Sequence, residues 1–67
     1  MTAQDHLKSI QETTQFKVDH LRVLTAALNA AEFPEYKEDF KVKILKIKKE
    51  IECLTRLEEV AVKRINE

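Results

Sequence analysis

Few side chains in this sequence could do covalent or metal chemistry. His6, His20 and Cys53 are its only histidines and cysteine. They stand far apart, and no HxxE or CxxC spacing would bring ligands to one metal. No nucleophile is accompanied by a plausible base and orienting group, and without glycine no loop can cradle a phosphate. Glu58 and Glu59 are adjacent, so on a helix they face different ways, which suits neither a shared metal nor a paired acid and base. The expectation is a protein that is not an enzyme, with no catalytic residue, cofactor, metal or small-molecule substrate. Cys53 is then a small core or interface residue.

The densest charge is basic. Lys41, Lys43, Lys46, Lys48 and Lys49 follow closely on Glu32, Glu35, Glu38 and Asp39. Such a run could meet phosphates, with Lys41, Lys46, Lys48 and Lys49 as nucleic-acid contacts. On a helix, however, these lysines point nearly all ways, none is an arginine, and aromatic side chains are not interleaved for base stacking. The favoured reading is a solvated helix face whose lysine stems cover apolar surface. Asp39 with Lys43, Glu52 with Arg56 and Glu59 with Lys63 have the i, i+4 spacing of helical ion pairs.

Any such groups would have to be held by helices. Phe40, Ile44, Ile47, Ile51, Leu54, Ala61 and Ile65 recur at alternating steps of four and three, broken only at Glu58, which is the rhythm of a coiled-coil seam. An earlier stretch has the same period through Ala3, Leu7, Ile10, Thr14, Leu21, Leu24 and Leu28, with Lys17 as its charged intruder. Val18, one position on, can take over the inward role of Lys17, because a straight helix drifts by about 20° per heptad. Lys17 and Glu58 are expected at the exposed edge of the seam, with a contact across a dimer as the sharper alternative.

Thr2 and Asp5 have capping-box spacing and predict where the first helix begins. With no glycine in the chain, Asn29 is the residue best suited to a left-handed helix end, so the helix is expected to stop near residues 29–31. Pro34 excludes helical geometry at Phe33 and suits the first turn of a second helix, whose amino end carries Glu35, Glu38 and Asp39. Phe33, Tyr36 and Phe40 are expected to plug the bend. Pairing the two seams antiparallel gives residue numbers that sum to 68, from Ala3 with Ile65 to Leu28 with Phe40, and so centres the fold-back on Pro34. Residues 1–67 therefore read as one all-α domain, an antiparallel two-helix hairpin with helices over about 3–30 and 34–65 and a turn over about 31–33.

A chain of 67 residues builds a marginal core by itself, and neither disulfides nor a metal can reinforce it here. Support from a partner chain is expected. Apolar residues outside the seams mark where one could pack: Phe16, Val23 and Ala27, with Ala30, on the first helix, and Val42, Cys53, Leu57 and Val60 on the second, with Leu45 further round. These residues are the expected partner interface, most simply between two copies that form a four-helix bundle. Twelve basic and twelve acidic side chains cancel, so no overall field points to nucleic acid or a membrane. No apolar run reaches the roughly 18 residues of a membrane span, and the amino end lacks the pattern of an export signal, so a cytoplasmic location is expected.

The functional expectation is a small helical interaction module, an adaptor, regulator or assembly factor that works by protein–protein association as a homodimer or with another helical protein. In layout the chain is similar to two kinds of small bacterial hairpin, the plasmid copy-number RNA-binding dimers of the Rop type and the co-chaperones of type III secretion needle subunits. The similarity is one of size and shape, and no motif of either family maps onto residues here. It implies two alternatives: an RNA-binding regulator that uses the lysine segment, and a co-chaperone subunit stable only with its partner.

Overall fold

The computed structural model describes residues 2–66, which form two helices, α1 over Ala3–Ala30 and α2 over Pro34–Asn66. The helices pack side by side along a molecule 51 Å long and 14 Å across in each other direction. Among the described residues there is no strand.

Helix α1 starts where its capping box lies. The Asp5 amide donates to the Thr2 hydroxyl at 3.1 Å and the Thr2 amide donates to Asp5 Oδ2 at 3.2 Å, so each group satisfies a donor the helix would leave open. The end of α1 lies within the expected range but is reached differently. Asn29 stays helical and none of the described residues has a positive φ; Ala31 instead leaves the helix extended, at φ −69° and ψ 133°. Phe33 must be non-helical ahead of Pro34, and the connection through Ala31, Glu32 and Phe33 reverses the chain without a left-handed residue. Pro34 then opens α2, and the Phe33 carbonyl accepts the Tyr36 and Lys37 amides as its first bonds.

The seam follows the predicted register. Ile10, Leu24, Ile47 and Ala61 are buried, and the other seam positions of both helices are half-buried, apart from Ala3, which is exposed at the open end. Thr14 fits this apolar line because its hydroxyl donates back to the Ile10 carbonyl at 2.8 Å. The aromatic plug is not formed. Phe33 and Tyr36 stack edge to face, with centroids 5.8 Å apart, but both are exposed on the outside of the bend, and only Phe40 is half-buried. One turn of a helix's amino end is too short to carry rings at 33 and 36 back over the seam, whereas position 40 lies on it.

The two polar intruders also differ from expectation. Lys17 and Glu58 are both half-buried and both find partners on the opposite helix of the same hairpin. Lys17 Nζ lies 2.6 Å from Glu50 Oε2, and Gln11 Nε2 donates to Glu58 Oε1 at 3.4 Å. These pairs flank the sum-68 register by one residue on either side, as residues bordering an antiparallel seam should. Pairing within the hairpin removes the need for a contact across a dimer.

Candidate functional site

The seam fixes where every other side chain stands, because each helix repeats its orientation about every seven residues. On α1 the positions beside the seam on one flank are His6, Thr13, His20 and Ala27, with Ser9, Phe16, Val23 and Ala30 outside them. On α2 the corresponding positions are Lys43, Glu50, Leu57 and Arg64, with Lys46, Cys53 and Val60 outside them. In an antiparallel pair these flanks adjoin, so they form one side of the hairpin. The grooves on that side confirm it: Thr13 and Lys17 line one wall opposite Lys46, Lys49, Glu50 and Cys53. Towards the bend the groove continues between His20 and Lys43, and at the open end His6 adjoins Arg64.

This side holds four of the large apolar residues the seam leaves uncovered, Phe16, Val23, Leu57 and Val60. Phe16 is 69 % exposed and Val23 65 %, and together with Asp19 and His20 they frame a shallow hollow on α1. Leu57 and Val60 are exposed on α2, as is the Cys53 thiol. Ala27 is half-buried because it borders the seam. The apolar residues run diagonally, from Ala27 and Val23 near the bend, through Phe16 and Cys53 at mid-length, to Leu57 and Val60 nearer the open end. Val42 is also exposed but stands on the outer edge of α2, and Leu45 and Val62 belong to the other flank. That opposite flank is mainly polar, with Lys8, Gln15 and Arg22 on α1 and Lys48, Glu52 and Glu59 on α2.

The basic segment does not form a single patch. Lys41 lies 3.6 Å from Glu38 and Lys43 lies 3.0 Å from Asp39 and 6.0 Å from the centre of the Phe40 ring. Lys46 and Lys49 open on the same groove as Lys17, whereas Lys48 belongs to the opposite flank. The Asp39–Lys43 pair is the one formed of the three expected helical ion pairs; neither Glu52 with Arg56 nor Glu59 with Lys63 is an ion pair among the described residues. Exposed side chains of this kind gain too little from pairing to be held in one rotamer.

Glu50 is the residue in this region that the seam periodicity passed over. The hydrogen bond from Lys17 holds its carboxyl below the usual carboxylate range, against a weaker opposing effect of desolvation, and the charges of Lys17, Lys46 and His20 add to the lowering. The signal was present in the numbering, since Lys17 and Glu50 fall one short of the register sum, but a search along the seam alone does not look one position aside. Among the described residues, no three histidine, cysteine, aspartate or glutamate side chains gather where they could hold a metal ion, and no helix is long and apolar enough to cross a membrane.

What the arrangement can do is present an apolar diagonal with charged margins to another surface. Compared with known protein families, curated protein sequences and solved structures, the chain shows no significant match.

Proposed function

We propose that this chain works by association, as a small helical module whose output is holding another protein, in the first instance a second copy of itself in a four-helix bundle. The observation that carries this reading is the amount of surface left in contact with water. The hairpin exposes 5478 Å². A compact monomer of its mass exposes about 4,400 Å². The excess is of the order of the roughly 800 Å² that each partner contributes to a standard interface, and Phe16, Val23, Leu57 and Val60 stand within it.

Sedimentation equilibrium of the purified chain tests this reading. A dimer mass is expected, with a thermal midpoint that rises with protein concentration. A stable, monodisperse monomer overturns self-association. A chain that is poorly folded alone but stabilised by a different helical protein points to the adaptor or co-chaperone role instead.

The RNA-binding reading has one observation in its favour, the groove shared by Lys17, Lys46 and Lys49. It predicts binding that weakens steeply with salt and is lost in Lys46→Glu with Lys49→Glu. Binding that is insensitive to salt but lost in Val23→Asp supports association with protein.

A further inference from the structure

The two outer edges of the hairpin carry opposite charge. Furthest from the seam stand Asp5, Glu12, Asp19 and Ala26 on α1 and Glu35, Val42, Lys49, Arg56 and Lys63 on α2, all exposed, so that away from the bend a trio of acids edges α1 and a trio of bases edges α2. Each trio repeats every seven residues. Asp5 with Lys63, Glu12 with Arg56 and Asp19 with Lys49 also keep the sum of 68, so each acid stands level with a base across the width of the molecule. Within one hairpin the width of both helices separates them, and none of these pairs is among the ion pairs the described residues form.

We infer that a second copy covers the Phe16 and Leu57 side with its bend at the same end, related by a two-fold axis along the length of the hairpin. Helix α1 of each copy then packs against α2 of the other. This inference rests on the proposed self-association and adds its geometry. In this arrangement the acidic edge of each α1 lies beside the basic edge of the other copy's α2, level for level, giving three matched positions on each side of the bundle. The other two-fold arrangement, with bends at opposite ends, lays α1 on α1 and α2 on α2. It sets acid against acid on one edge and base against base on the other.

The apolar residues fit the same choice. Phe16 and Cys53 stand at almost the same level on the two helices, so Phe16 of each copy meets Cys53 of the other, with Leu57 one turn away. Nearer the bend, the stems of Lys43 and Lys46 from one copy cover Ala27 and Val23 of the other. The side is set by apolar content, since among the described residues the opposite flank offers only Leu45 and Val62 as large exposed hydrophobes. The hairpin's excess over a compact monomer is of the order that a standard interface removes from each partner.

The orientation is read by spin labels at the bend, on a chain carrying Cys53→Ser with Glu35→Cys. The expected result is a dimer with a single label-to-label distance set by the width of the bundle and well short of the 51 Å length. A dimer whose labels lie near that full length apart overturns the orientation while leaving association intact, whereas a parent chain, with Cys53 in place, that sediments as a monomer overturns association itself. Charge reversal tests the edges without touching the apolar side. Glu12→Arg should weaken the dimer severalfold at low salt, and adding Arg56→Glu should restore it; failure of the second change to rescue overturns the edge pairing. Phe16→Asp should dissociate the dimer while Leu45→Asp leaves its mass unchanged, and the reverse pattern overturns the choice of side.

Discussion

Ile10 and Phe16 lie on the same helix, less than two turns apart, and both are large and apolar. One is 6 % exposed and the other 69 %. The difference lies wholly in position: Ile10 falls on the three-and-four period that α2 also keeps, and Phe16 falls six residues further on, about 120° away from it. The same contrast recurs on α2 between the buried Ile47 and the exposed Leu57. The chain thus contains two apolar surfaces of similar chemistry. One is covered by the chain itself and the other is left in contact with water, so damage to the two should be felt differently.

The largest effect is expected in the seam. Ile47→Ala removes buried methyl groups at the middle of the only interface that holds the hairpin together. Such a change costs about 2–5 kcal/mol, a large part of what a domain of this size has. Circular dichroism should show lost helicity that raising the protein concentration does not fully restore. Phe16→Ala, by contrast, alters a side chain that stands off the seam and is largely exposed. Its cost should appear only in the concentration-dependent part of the thermal midpoint. If Phe16→Ala destabilises as much as Ile47→Ala in solution dilute enough to hold the chain as a monomer, the division into an inner and an outer surface fails.

A smaller effect is expected at the amino end of α1. Thr2→Ala removes the acceptor of the Asp5 amide and should cost about 1 kcal/mol. Loss of amide protection confined to the first turn, measured by hydrogen exchange, would place the cost there. A uniform loss along α1 would instead mean that the open end of the seam is held by the cap.

These residues also mark what the sequence discloses and what it hides. The seam and its register were legible because they are periodic, and a period of three and four on two stretches constrains all of their positions together. The start of α1 was legible because Thr2 and Asp5 satisfy one another locally. Asn29, Lys17 and the aromatic residues at the bend were misread for a common reason: each depends on a few degrees of backbone or on a neighbour just off the period. Ala31 could leave the helix extended because Pro34 had already restricted Phe33, so no left-handed residue was needed. Lys17 could stay half-buried because Glu50, one position off the seam, lies within reach. The exposed apolar residues were legible helix by helix, but their falling on one side of the hairpin follows only once the two helices are placed together.

The smallest expected effect concerns that Lys17–Glu50 pair, which stands on the boundary between the two surfaces. The Glu50 carboxyl is held below its ordinary value in the folded chain, chiefly by the hydrogen bond from Lys17. A depressed carboxylate pKa contributes stability that is fully present above the unfolded value and is lost as pH falls through the folded one. Glu50→Gln should therefore lower the thermal midpoint slightly near neutral pH, and the gap to the parent chain should close as the solution is acidified below the carboxylate range. Both side chains are partly in water, so added salt should narrow the gap at neutral pH as well. A gap that is independent of pH would assign the effect of the substitution to packing at the seam edge. A gap that widens on acidification would show that the pair does not favour the ionised carboxylate in the folded hairpin.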